Sequence, residues 1–185
     1  SDIVRTLGCG IAGLSIVADS LSAIKYAKVT PVRDETGLVV DYITEGDFPT
    51  YGNDDDRADE IAAAIVHTVM SKIKEIPLYR DAVPTQSVLT ITSNVVYGKA
   101  TGSFPSGHKA GTPFAPGANP ENGVDNHGML ASMLSVGKLD YSDALDGISL
   151  TNTITPSGLG RTKEEQVNNL VGILDAGFVP NDCCC

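Results

Sequence analysis

Few side chains in this 185-residue chain are suited to chemistry: three histidines, four cysteines and one run of adjacent carboxylates. His67 falls beside the apolar stripe of a helical segment, where a packed or surface imidazole is expected. His108 and His127 lie in a glycine-rich loop, the kind of segment on which catalytic groups concentrate. No carboxylate or nucleophile at a telling spacing gives either a role, and only Asp125 is near enough locally to reach His127. Cys9 stands alone near the start, and Cys183, Cys184 and Cys185 end the sequence. Adjacent cysteines in an extended tail point in alternating directions, so the three do not close one tetrahedral zinc site, and no Cys-x-x-Cys exists for thiol redox chemistry. An exposed end with no role is the expected reading of that triplet. Asp54, Asp55 and Asp56 do not have the loop spacing of a cation site and read as a solvated helix start. From these patterns no catalytic, cofactor-binding or metal-ligating residue is assigned.

The elements that must position such groups follow from periodicity. Residues 88–96 are rich in β-branched side chains, with Leu89 and Ile91 on one face and Val88, Thr90 and Thr92 on the other. That alternation predicts a strand, and its partly apolar faces predict a central place in a sheet. From Gly98 to Gly128 glycine and proline recur every few residues, which excludes helix and ladder and predicts a defined succession of turns. Phe104, Phe114 and Val124 argue that this loop packs, and structureless loops of that length are uncommon unless functional.

Before it, Leu14, Val17, Leu21 and Ile24 predict a helix over 13–26. Residues 30–33 and 38–43 flank the turn sequence DETG and predict a hairpin. Asn53 and the three acids cap a second helix with stripe Ile61, Ile65, Val69 and Ile73, ended by Pro77. After the loop, 129–136 is ambiguous between helix and strand, its small residues favouring helix. Residues 148–154 alternate as a strand. Thr162 and Glu165 form a capping box opening a helix through Leu174, with Gly177 as its C-terminal cap. Helices alternate with strands, so the class is α/β.

Composition bounds the rest. The chain is long enough for one domain and short for two. Net charge is −10 with a pI near 4.5, and with no basic run a nucleic-acid partner is not expected. No stretch of eighteen apolar residues spans a membrane. The N-terminus lacks a signal-peptide profile and does not begin with methionine, so the chain reads as cut from something longer. The cysteine spacing resembles no secreted framework, which favours a reducing, cytoplasmic setting.

Four segments carry a resemblance. CGIAGLSIVADSLSAIKYAKV at 9–29, YRDAVPTQSVLTITSNVVYGK at 79–99, PFAPGANP at 113–120 and LDGISLTNTI at 145–154 resemble, in the same order, the C-terminal half of pyruvate formate-lyase (formate C-acetyltransferase), a glycyl radical enzyme family. The resemblance runs to about residue 178. It implies part of a ten-stranded β/α barrel, here incomplete: one partial domain over 1–185 with a structured loop at 98–128 and a divergent tail at 179–185. The family cleaves pyruvate with coenzyme A to formate and acetyl-CoA. A backbone glycyl radical, installed by an S-adenosylmethionine and iron–sulfur activase, takes hydrogen from one of two adjacent cysteines. In the family that pair lies upstream of the matched segment, the radical glycine lies downstream in an Arg-Val-Ser-Gly-Tyr context, and the pyruvate-holding arginines lie upstream.

None of these is expected in this chain, which contains no Gly-Tyr dipeptide, and Cys9 matches a non-catalytic cysteine of the family. Cys183 to Cys185 stand where the family continues differently and do not inherit the role of the pair. Where the family commonly reads Thr-Pro-Asp-Gly-Arg, residues 104–108 read FPSGH; the expectation is that any ion pair tying that loop down is lost. PFAPGANP resembles the formate-lyase branch more than the glycyl radical diol dehydratases. The resemblance thus implies a fragment of a formate C-acetyltransferase, inactive alone, holding no cofactor of its own and partnered by the rest of the barrel or a longer homologue, in a family expected to form homo-oligomers. The alternatives are a non-catalytic accessory or assembly subunit docking on such a homologue, and a diol dehydratase-like fragment.

Overall fold

The computed structural model describes residues 3–178. In chain order these give β1 (Thr6–Gly10), α1 (Leu14–Tyr26), β2 (Lys28–Arg33), β3 (Val39–Glu45), α2 (Asp56–Lys74), β4 (Val83–Val88), α3 (Ser93–Lys99), α4 (Met129–Gly137), β5 (Gly147–Ile148) and α5 (Lys163–Phe178). Single 3₁₀ turns lie at Tyr79–Asp81, Tyr141–Asp143 and Pro156–Gly158. β1, β4 and β5 form a parallel sheet with β4 in the middle, and β2 and β3 form the separate antiparallel hairpin expected from the sequence. The result is an α/β fragment with an open parallel sheet.

The central strand lies at 83–88 and shares only Val88 with the 88–96 expected from the sequence. Pairing with β1 runs from Thr6–Val83 to Gly10–Ser87, so the ladder occupies 83–88, and 93–99 is helix rather than strand. Tertiary contacts override the β-branched propensity of Val95 and Val96. A Cβ on Gly98 would lie 2.1 Å from the Thr112 carbonyl oxygen, so only glycine lets α3 sit against the loop. Asn94 Nδ2 donates to the Phe114 carbonyl at 2.6 Å, and Phe114 N–H donates back to the Asn94 carbonyl at 3.2 Å.

The core joins Leu14 and Ala18 of α1, Ala58, Ala62 and Val66 of α2, Val88 of β4, and Tyr51, Ala118, Val136 and Leu139. This corrects the stripe expected of α1. Val17, Leu21 and Ile24 are exposed, and the helix instead buries Ile16, Ala18, Ser22 and Ala23. α2 likewise buries Ala58, Ala62, Val66 and Met70, with Ile61, Ile65, Val69 and Ile73 only partly covered. Small side chains let two helices approach, so the alanine rows rather than the larger aliphatic rows face inward. Asp55, not Asn53, caps α2, accepting from Arg57 N–H at 3.0 Å.

The strand expected at 148–154 is a ladder only at Gly147–Ile148. Beyond it Ala118 N–H donates to the Ser149 carbonyl at 2.8 Å, and the Asn119 amide exchanges two hydrogen bonds with the Thr151 backbone, at 2.7 and 2.9 Å. A loop, not a strand, satisfies this edge. Segment 129–137 is the helix that was favoured. The capping box of α5 forms: Glu165 N–H donates to Thr162 Oγ1 at 3.2 Å and Glu165 Oε2 accepts from Thr162 N–H at 3.0 Å. Gly177 does not cap this helix but lies within it, where a Cβ would fall 2.2 Å from Met133 Cε, so it permits close packing of α5 on α4.

Candidate functional site

In open parallel α/β sheets and barrels, ligands bind at the carboxyl ends of the strands. Here that end is built from the segment after β4 and from the PFAPGANP loop. Leu89 and Ile91 follow β4 directly and are 39% and 62% exposed; two large aliphatic groups project from the end of the central strand. Gly117 N–H donates to the Thr90 carbonyl at 2.6 Å, which pins the loop across β4. Gly117 has φ +55°, and a Cβ there would meet Ser149 Oγ at 2.0 Å and the Ser149 carbonyl oxygen at 2.6 Å. Only a residue without a side chain lets the loop cross so closely.

The same loop walls a cleft of about 720 Å³, lined by Phe114, Asn119, Glu121, Asp125, Thr151 and Asn152 among others. Its walls offer amide, hydroxyl and carboxylate groups over apolar patches, and no cysteine lines it among the described residues. It supplies shape and hydrogen bonding but no thiol.

His108 anchors this wall. Its side chain is 1% exposed, Nδ1 lies 2.5 Å from Glu121 Oε1, and Nε2 lies 3.2 Å from the Thr112 carbonyl oxygen. Both ring nitrogens therefore face acceptors. Phe104 and Phe114 pack about the imidazole with ring centroids at 5.8 and 5.7 Å. This corrects the expectation that FPSGH leaves the loop without an ion pair: Lys109 Nζ binds Asp41 at 2.7 Å, and His108 is hydrogen-bonded to Glu121. Thirteen residues separate His108 from Glu121, and no local spacing rule would have joined them; the nearby phenylalanines were the legible trace of a packed loop.

The other candidates fall elsewhere. His127 does not pair with Asp125. Its Nδ1 lies 2.9 Å from the Asn53 carbonyl and its N–H donates to Asn53 Oδ1 at 3.0 Å, which ties the loop to the start of α2. His67 is at the surface, its ring 68% exposed, with Nδ1 2.6 Å from Asp143 Oδ2. Cys9 is a half-buried free thiol on β1. Cys183, Cys184 and Cys185 lie outside the described residues. The acidic run gathers on a lysine: Lys138 Nζ lies 2.7 Å from Asp54 and Asp56 and 2.8 Å from buried Asp59. Burial works against that ammonium, but its three carboxylate hydrogen bonds prevail and raise its pKa. Lys138 lies about eighty residues along the chain, beyond the reach of any sequence spacing argument.

Behind the site, Asp19 is buried in α1 and accepts from Tyr51 N–H at 2.7 Å. Burial pushes its carboxyl up to about 7, partly opposed by that hydrogen bond. Burial likewise raises the Tyr51 phenol and the Asp59 carboxyl.

The sequence pattern of the pyruvate formate lyase-like family matches residues 2–98, and that of the glycine radical domain matches 114–184. The chain belongs to the pyruvate formate lyase-like family. It is 58% identical to the PFL-like enzyme TdcE and 56% identical to formate acetyltransferase 1, both of Escherichia coli strain K12, over 96% of its own length and 23% of theirs. Its fold is similar to that of the hydroxyproline dehydratase of Clostridioides difficile, with a TM-score of 0.78 at 25% identity, over 97% of this chain and 24% of that one. A glycyl radical enzyme from Archaeoglobus fulgidus superimposes with a TM-score of 0.72 at 24% identity, over 94% and 24% of the two chains. The 185 residues therefore span about a quarter of the length of the relatives they match. Among the described residues no helix is long and apolar enough to cross a membrane, and no cluster of three or more His, Cys, Asp or Glu side chains is placed to hold a metal ion.

Proposed function

We propose that this chain is the part of a formate acetyltransferase that walls the radical chamber, and that it does not catalyse the reaction by itself. The observation that carries this reading is the carboxyl end of β4, where Leu89 and Ile91 stand exposed. Radical transfer needs its groups in near contact inside a dry enclosure. An aliphatic pair at a strand end suits such an enclosure once further sequence closes over it. On this reading the glycyl radical, the cysteine pair and the groups that hold pyruvate and coenzyme A come from sequence other than these residues, in a cytoplasmic, homo-oligomeric enzyme. The identity of 56% to formate acetyltransferase 1, against 24–25% to the dehydratase structures, favours the first chemistry over the second.

The test is anaerobic incubation of the chain with the activating enzyme, S-adenosylmethionine, pyruvate and coenzyme A. No formate is expected; formate made by this chain alone would overturn the proposal. A second reading, an assembly subunit that docks on a longer homologue, is supported by the open edge of the three-stranded sheet at β1 and by the exposed aliphatic row of α1. A monodisperse monomer in size exclusion, unchanged by adding full-length formate acetyltransferase, would count against it.

A further inference from the structure

The three imidazoles differ in what holds them, and one belongs to an arrangement separate from the cleft. His108 has both nitrogens turned to acceptors inside the protein, and His127 faces a backbone carbonyl. His67 of α2 instead sets a carboxylate on one nitrogen and a hydroxyl on the other. Asp143 Oδ2 lies 2.6 Å from Nδ1, and Ser71 Oγ, one turn along α2, lies 3.4 Å from Nε2. The acid is enclosed, with its side chain 7% exposed, while the imidazole is open to solvent. Asp143 is fixed from behind, since its carbonyl accepts from the buried Gln86 amide at 2.9 Å. Lys74 Nζ stands 3.9 Å from its other carboxylate oxygen.

We propose that Ser71 is a nucleophilic hydroxyl that accepts small acyl groups from activated esters and thioesters, with His67 as its general base and Asp143 as the positioning residue. The carboxylate accepts the Nδ1 proton, so the lone pair lies on Nε2, facing the serine. The 3.4 Å separation is long for a hydrogen bond to oxygen, as such contacts often are before an acyl donor binds. In the transfer, Ser71 Oγ bonds to the acyl carbon while its proton passes to Nε2. The bond from that carbon to the leaving oxygen or sulfur then breaks, and the leaving group takes the proton from Nε2. Ser71 lies inside α2, so its N–H is spent in the helix ladder and no oxyanion donor is supplied there. The acylated serine is accordingly expected to form slowly and to persist.

The experiment treats the 185-residue chain with p-nitrophenyl acetate and locates the added acetyl group by peptide mass spectrometry. Ser71 is expected to be labelled ahead of every other serine, and Ser71→Ala to lose that label. His67→Ala is expected to lower labelling at Ser71 at least tenfold, with partial recovery on adding free imidazole, a response that a merely structural histidine would not give. Asp143→Asn is expected to slow labelling similarly; because Asp143 is buried and this variant is the one at risk of misfolding, the decision rests on His67→Ala, whose side chain is exposed. Labelling of Ser71 no greater than of other exposed serines, unchanged labelling in His67→Ala, or acetyl found on His67 alone would each overturn the proposal.

Discussion

α1 has two apolar faces, and only one is buried. Ile16, Ala18 and Ala23 are wholly enclosed, whereas Val17, Leu21 and Ile24 of the same helix are 38%, 44% and 57% exposed. The contrast recurs across the molecule. The region where α1 and α2 meet β4 is closed around alanines and Val88, whereas α5 carries Val167, Val171 and Leu174 outward, each at least 42% exposed, and Leu89 and Ile91 stand open beyond β4. Aliphatic periodicity marks faces fit for burial. Which face this chain buries by itself is decided by where small side chains let backbones approach. On the proposed reading, the open rows are those that the rest of a formate acetyltransferase would cover.

The sharpest way to break that comparison is on α1 itself. Ile16→Ala is expected to cost about 2–5 kcal/mol, the range for truncating an enclosed aliphatic side chain, read as a lower midpoint in urea with an unchanged slope. A loss under about 0.5 kcal/mol would mean that the region described as closed is loosely packed.

Asp19 sharpens it next, because the closed region also encloses a carboxyl. Its folded pKa, about 7, stands above the ordinary 3.8, so the folded state holds a proton that the unfolded chain releases. The contribution is fully present below about pH 4 and is lost as pH rises through about 7, on the order of 4 kcal/mol in all. Melting curves from pH 4 to 8 should show that decline, and Asp19→Asn, which keeps an acceptor for Tyr51 N–H, should flatten it. A wild-type profile with no decline over this range would remove Asp19 from the enclosed interior.

The third test moves to the boundary between the two regions. Glu121→Ala leaves His108 enclosed without its carboxylate and is expected to cost about 2 kcal/mol, with faster amide exchange at Gly107, whose N–H donates to the Phe104 carbonyl within the loop, and at Gly117, whose N–H pins the loop to the Thr90 carbonyl. If exchange there is unchanged, the pair is not what holds the wall of the cleft.

Much of the fold was legible because it is written locally. The hairpin, the capping box at Thr162 and Glu165, and the start and stop of α2 depend on residues within a few positions of one another. The misplacements share one cause. The β-branched Val95 and Val96 extend the apparent strand to 96, but the ladder ends at Val88, paired with Ile148, and the next turn is helical because Gly98 and Asn94 engage the loop at Thr112 and Phe114. The stripe of α1 was read from side-chain size, whereas alanine and serine faced inward. At the candidate site, the loop and its apolar anchors were visible in the glycine and phenylalanine pattern. The contact of His108 with Glu121, and of Lys138 with three aspartates, was not, because polar contacts across the fold leave no periodic mark in the chain.

The smallest expected effect completes the test of α1. Leu21→Ala removes a side chain 44% exposed and should change stability by no more than about 0.5 kcal/mol in the isolated chain, since little apolar area returns to water. The same substitution becomes informative in company. If the open row is covered by the rest of the enzyme, the corresponding change in a full-length formate acetyltransferase should cost about 2 kcal/mol or more, four times the loss in this chain. Equal small losses in both would mean that this face stays in solvent, and the open rows would then need an explanation other than missing sequence. A large loss in the isolated chain would show that α1 turns the opposite face inward, which would reverse the assignment of its two sides and the placement of the core against α2.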